Sequence, residues 1–437
     1  MALVTATTTF DAHALVRELA PLQRTLVHDD NAVALEMIGA SLPNWSIEKF
    51  PSGSMAWTWR VPNRWHLVEA RIEDAATAEL LWDGTSHPLA TVNYSLPFDG
   101  EVDRETLAAH LHATDARPEA IPFVFRFYNR DWGLCVPARR KTEILRRERF
   151  RVRIVTDERP GALLAGVSTL AGDAADEIVI VSNICHPGIA NDSISGAAAA
   201  VDLARHLASK PRRKYSYRFL FVPETIGSVA YLAGHPEVVA RAAAGFFTEM
   251  LGNDNTHCLQ FSRKGNTYWD RVAHRTLIDS GLPFRTAPFL GAAPNDEKVL
   301  DAPGVNIPTI SLTRYPYPEY HTSDDNAALV DAGRFRESCA LIRALFDRIE
   351  DDYVPIYTNH GPVCLSEHGL YPDWYQDPSL LPAWHGFIKV MYALDNGRSC
   401  EQLADDLDLP ITTVRHWTDG FESRGFLRRA PHVVKRA

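Results

Sequence analysis

The sequence predicts an α/β fold: a mixed, mostly parallel sheet flanked by helices, with an inserted mostly-β domain and a C-terminal winged-helix domain. An apolar run over Glu177–Val181 leads through Cys185-His186-Pro187 into a small-residue helix at Ala197–Leu207. The pattern then recurs. Phe219–Val222 ends at Pro223-Glu224, with Gly227 just beyond, and apolar runs at Phe246–Met250 and Pro308–Leu312 precede a helical pattern at Arg334–Glu350. Short apolar runs alternating with helical patterns mark strands of a sheet covered on both faces. The third observation is a change of texture at about Pro51–Pro137 and again after Pro372.

In chain order, Asp11 to Ala40 reads as a helical pair that opens the main domain. Between Pro51 and Pro137 the tryptophans Trp57, Trp59, Trp65, Trp82 and Trp132 concentrate, and Trp65–Ile72 and Phe123–Tyr128 alternate apolar with polar residues. Turn signals at Asp99-Gly100 and Asn129–Asp131 punctuate this segment, which predicts a small β domain with one helix near Glu105–His112. Its aromatics are expected to form a core, and the domain is placed to wall one side of a site. Eight Lys and Arg between Arg139 and Arg153 against two acids predict a solvated, charged edge strand or a surface contact. Strands are expected near Phe150–Thr156 and Leu163–Val167 as the main domain resumes. Helices at Leu381–Asp395, Ser399–Asp406 and Pro410–Ser423, with Leu403, Ala404, Leu407, Val414, Trp417 and Leu427 as their apolar skeleton, resemble a winged helix. The domains are therefore 1–50 with 138–365, 51–137, and 371–437.

Three segments carry candidate chemistry. His186 and Asp192 follow one strand, Glu224 follows another, and His321 sits in Glu319-Tyr-His-Thr-Ser323 before a helical pattern. Two imidazoles and two carboxylates at strand ends are the donor mixture of a hydrolytic zinc centre. In the loop Asn295–Lys298, Asp296 or Glu297 is a candidate for a substrate ammonium, and Arg314 for a substrate carboxylate.

The order of these motifs, with Asn191-Asp192, Pro223–Ser228 and Glu319–Ser323, resembles the zinc exopeptidases of the bacterial aminopeptidase and glutaminyl cyclase superfamily. It is most similar to an aminopeptidase-like branch with an inserted β-rich domain and a C-terminal winged helix. The resemblance implies that His186, Asp192, Glu249 and His321 are metal ligands, with Asp192 bridging if two metals bind. It implies Glu224 as general base for a metal-activated water, and Asp325 as a residue that orients its surroundings. One position departs from the pattern. Where studied members have a second consecutive Glu as ligand, this chain has Thr225, a poor zinc ligand. One tightly held zinc, with a second bound weakly at most, is the expectation. Glutaminyl cyclisation, whose zinc normally uses that replaced acid, is disfavoured.

Composition sets the remaining limits. A hydrophobic fraction of 46% and a charged fraction of 23% are those of a globular protein. A net charge of -10 argues against a nucleic-acid partner. So does the segment 371–437, where eight Lys and Arg face nine Asp and Glu, leaving no basic face for phosphates; a protein–protein or intramolecular docking role is expected instead. Six cysteines without a C-x-x-C pair imply neither a disulfide framework nor a thiolate zinc site. No signal peptide or membrane span is read, and a cytoplasmic location is expected. The functional expectation is a zinc-dependent hydrolase of a peptide or amide bond, aminopeptidase-like, acting on a small peptide or on an amide in polysaccharide or antibiotic biosynthesis. The alternative is a non-catalytic ligand sensor on a degenerate peptidase fold. A homo-oligomer stays open.

Overall fold

The computed structural model describes residues 10–433. The first nine residues, where no signal peptide was read, and residues 434–437 lie outside the described residues. Among the described residues no helix is long and apolar enough to cross a membrane. The chain divides into two packed units, one running to Gly265 with Pro283–Ala340, the other comprising Asn266–Leu282 and the chain from Leu341 onward.

The first unit is built on an eight-stranded mixed sheet. In spatial order its strands are Trp45–Pro51, Ala162–Leu170, Ser216–Val222, Glu177–Asn183, Ala242–Thr248, Thr309–Thr313, His257–Gln260 and Phe284–Ala287. Glu177–Asn183 runs parallel to both neighbours, Ser216–Val222 and Ala242–Thr248. All seven residues of Glu177–Asn183 and all seven of Ala242–Thr248 are buried, which explains the apolar runs Ile178–Val181 and Ala242–Phe247 within them. Helices Ala12–Leu19, Asp29–Gly39, Gly196–Ser209 and Ile226–Gly234 belong to this unit. Asp11 starts the first by accepting the N–H groups of His13 and Ala14.

The inserted sheet has the order Leu80–Asp83, Arg64–Asp74, Arg149–Arg159, Phe98–Asp103. This corrects two expectations. Arg149–Arg159 belongs to the insertion and not to the main sheet, so the insertion's sheet extends beyond Pro137. It is also an interior strand, paired on both sides, not an edge. Its alternation shows why: Phe150, Val152 and Ile154 are buried, while the outward arginines meet acids on adjacent strands. Arg153 lies 3.0 Å from Glu69 and 2.8 Å from Asp99, and Arg149 lies 3.3 Å from Glu101. Arg149, Arg151 and Arg153 are thus paired with acids of their own sheet. Trp65 is buried and stacks on Tyr94, whose hydroxyl donates to the Asn63 carbonyl at 2.7 Å.

The second unit contains helices Tyr268–Ser280, Leu381–Ala393, Cys400–Asp406 and Ile411–Glu422. Strand Leu427–Pro431 pairs antiparallel with Tyr353–Tyr357. Leu403, Ala404, Val414, Trp417 and Leu427 are buried in one apolar cluster with Phe387 and Phe421, and Leu407 packs partly against it. Glu401 is buried here and takes a bidentate ion pair from Arg348, at 3.1 and 2.5 Å.

Candidate metal centre

Three adjacent parallel strands deliver the central residues. Glu177–Asn183 leads into the loop carrying His186 and Asp192, Ser216–Val222 ends just before Glu224, and Ala242–Thr248 ends just before Glu249. Side chains at the carboxyl ends of neighbouring parallel strands converge, as α/β sheets generally arrange their ligand sites. His321 reaches the same place differently. It lies in a turn well before the helix Ala332–Asp351, so its expected place at a strand-to-helix junction is corrected.

The donor atoms of His186, Asp192 and His321 lie within 4.8 Å of one another. His321 Nε2 stands 3.1 Å from Asp192 Oδ2. Donors around a tetrahedral zinc, each about 2.0–2.1 Å from the ion, stand roughly 3.3 Å apart. Asp192 Oδ2 is buried, and no donor points squarely at it despite the nearness of His321. Burial lowers the His186 imidazole to about 4, so the ring is the neutral form that ligates metal. Burial also opposes ionisation of Asp192, but the two histidines outweigh it and hold the carboxyl below its usual range. A neutral imidazole, a carboxylate lacking an aligned donor and a second imidazole match the catalytic zinc donor set, so these residues fit the ion. A second grouping substitutes Cys185 and Glu224 around His186. Cys185 is a weaker candidate, because burial and the nearby Glu224 carboxylate push its thiol well above the ordinary range.

The backbone holds these groups under strain. His186, Thr225, Met250 and His321 have φ of 74°, 62°, 55° and 55°, the left-handed region that side chains other than glycine rarely enter. Such residues gather at functional sites because the surrounding packing over-determines them. Several residues do so here. Asp325 accepts the N–H of Asn191 at 2.6 Å and of Asp192 at 3.1 Å, and also takes the Tyr317 hydroxyl. The Asn191 side chain accepts Gly252 N–H at 2.9 Å. Gly196 lets the following helix approach the neighbouring strand, since a Cβ there would lie 1.9 Å from the Thr248 carbonyl. Phe123 packs edge-on against both His186 and His321, and its N–H donates to the His321 carbonyl at 2.8 Å.

Arg24 was not singled out from sequence. Fully buried, it donates to the carbonyls of Ile184 at 2.8 Å, Cys185 at 3.1 Å, Ile189 at 2.7 Å and Leu19 at 3.1 Å. Three of these carbonyls belong to the loop carrying His186, so Arg24 fixes that loop from beneath. No local motif announces such a role. An arginine between two helices reads as a surface residue until the fold is known.

Glu224 faces a cavity of about 470 Å³ that His186, Thr225 and Lys298 also line. Its carboxylate is 3.5 Å from His186 Nε2 on one side and 3.7 Å from Lys298 Nζ on the other. Burial pushes it up to about 7, while Lys298 pulls the other way. A carboxylate poised near neutrality beside a candidate ligand suits proton transfer.

Four other expected site residues lie outside the close group of donors. Glu249 is buried beside Asp192 and accepts from Asn295 Nδ2 at 2.8 Å, but it lies outside the close group of donors. Burial and the Asp192, Glu224 and Glu297 carboxylates push its pKa well above the usual range. Glu297 does not face the cavity. Buried, it accepts from Gln260 Nε2 at 2.7 Å and from Asn295 N–H at 3.0 Å. Arg314 is also buried and bonds to the Asn255 carbonyl at 2.5 Å, to Ser338 Oγ at 3.0 Å and to Glu337. With those partners it braces the fold and is not available to a substrate carboxylate. Asp296 likewise points inward, accepting Asn183 Nδ2 at 2.6 Å and the Thr225 N–H at 3.2 Å.

An eight-stranded mixed sheet with this convergence at its parallel strand ends has the fold of the zinc aminopeptidases. A zinc aminopeptidase from Bacillus subtilis superposes with a TM-score of 0.56 over 77% of this chain and 94% of its own, at 14% identity. A peptidase precursor from Shewanella amazonensis gives 0.56 over 77% and 92%, at 12% identity. The chain itself belongs to the family described as Domain of unknown function (DUF4910), matched over residues 13–352. A Clostridium acetobutylicum protein, provisionally named a polysaccharide biosynthesis protein with aminopeptidase-like domain, is 27% identical over 366 residues, 83% of each chain. A crystal structure from the same organism, provisionally called a peptidase, superposes with a TM-score of 0.85 over 96% of both chains, at 23% identity.

Proposed function

We propose that this protein is a metal-dependent hydrolase of a peptide or amide bond, with His186, Asp192 and His321 holding about one zinc per chain. The observation that carries the reading is the meeting of these three donors beside a carboxylate, Glu224, that opens onto a cavity. The chemistry supplied there by zinc, when bound, is Lewis acidity, which polarises a carbonyl and makes water easier to deprotonate. Glu224 accepts a proton from the attacking water and returns it to the leaving nitrogen. Lys298 steadies the Glu224 carboxylate, and Phe123 keeps both imidazoles in place by packing. Asp325 fixes the backbone of Asp192, so the ligand carboxylate enters the site already oriented.

Thr225 supports one metal over two, because its hydroxyl replaces the acid that would complete a second position. We read the helices from Leu381 as a winged helix that contacts protein, not DNA. The Clostridium relative's name, which refers to polysaccharide biosynthesis, supports a non-peptide amide as substrate alongside small peptides. The second reading, a ligand sensor without catalysis, is favoured by Thr225 and by that helical segment. Zinc-loaded protein should hydrolyse some member of a panel of aminoacyl and N-acyl amides. Chelation should abolish turnover, and added zinc should restore it. A protein that takes up zinc but hydrolyses nothing in the panel would favour the sensor.

A further inference from the structure

The cavity beside Glu224 has walls unlike those expected for a site that receives a free amino terminus. Phe125, Phe127 and Tyr128 of the insertion line it, with Phe125 and Phe127 stacked at 4.6 Å between ring centroids. Phe125 is 44% exposed and Tyr128 50%, so these rings are not the domain core that their alternating pattern suggested. Partly exposed aromatic surface facing a cavity favours an apolar or aromatic ligand group.

Charge at the cavity has the opposite sign to an ammonium receptor. Lys298 and Arg126 line it, and Glu224 is the single carboxylate among the lining residues. Arg126 has no carboxylate within ion-pair distance among the described residues, and its hydrogen bond to the Phe125 carbonyl is long, at 3.4 Å. The acids that might have held an ammonium, Asp296 and Glu297, are buried and hydrogen-bonded to neighbouring residues. A substrate ammonium would meet two cations, with Glu224 already engaged in proton transfer.

We propose that the cavity receives the aromatic or bulky apolar part of an amide that also carries a negative charge, with the ring against Phe125 and Phe127 and the anion facing Lys298 and Arg126. This rests on the hydrolase reading for the reaction but makes its own claim about the ligand. Calorimetric titration of the zinc-loaded full chain with benzylsulfonate and with benzylamine tests it. The two share one apolar group, and the sulfonate is a weak metal ligand. The sulfonate should bind at least about tenfold more tightly. The preference should vanish in Lys298→Met/Arg126→Met, both positions being partly exposed. Phe125→Ala should weaken both ligands. Equal or tighter binding of the amine, no binding of either, or a preference surviving in the double variant would overturn the proposal. Binding and hydrolysis fail separately: a sulfonate preference without turnover sinks the reaction assignment, while turnover with an amine preference sinks this one.

Discussion

Glu224→Gln should lower kcat by about a thousandfold or more while leaving zinc content and thermal stability nearly unchanged. The substitution keeps the shape of the side chain and removes only its capacity to take a proton. Glu224 lies 3.5 Å from His186 Nε2 and is 29% exposed to the cavity, so the amide is readily accommodated. The Glu224 N–H, which donates to Cys185 Sγ at 3.1 Å, is untouched. A stability change within roughly 0.5 kcal/mol is therefore expected. Steady-state kinetics, zinc analysis and a thermal melt on one preparation decide the matter. Retained turnover would show that another group moves the proton.

Arg24→Met should destabilise the first unit by about 2–4 kcal/mol and weaken zinc binding, though Arg24 touches no ligand side chain. Its guanidinium satisfies four buried carbonyls, three of them at Ile184, Cys185 and Ile189 around His186. Methionine fills similar space but offers no donor, so these carbonyls would be buried without partners. Removal of a buried charge offsets part of that loss, which is why the range is wide. Denaturant melts and competitive zinc titration read the two effects. A variant with unchanged stability and unchanged affinity would show that the His186 loop holds its shape without Arg24.

What could be seen in the sequence follows from how local each signal is. Glu177–Val181 and Phe219–Val222 announce themselves as interior strands, because burial on both faces demands unbroken apolar runs. His186, Asp192 and Glu224 were legible for the same reason, standing where those runs stop. Arg149–Arg159 was harder. Its alternation fixes a half-buried strand but says nothing about which sheet accepts it, and Glu69 and Asp99 are distant in sequence. Arg314 and Glu297 looked free because their partners, Ser338 and Gln260 among them, also come from elsewhere in the chain. Phe123, Phe125 and Phe127 recur at a spacing of two, a pattern that places rings on one side without saying whether that side meets a core or a cavity.

Metal analysis of the purified chain, with His186→Ala alongside, tests the central claim most directly. The account predicts about one zinc per wild-type chain and little or none in the variant, with both folded by circular dichroism. Absence of zinc from wild type after exposure to it, or equal zinc in the two proteins, would contradict the assignment of His186, Asp192 and His321 as a metal centre.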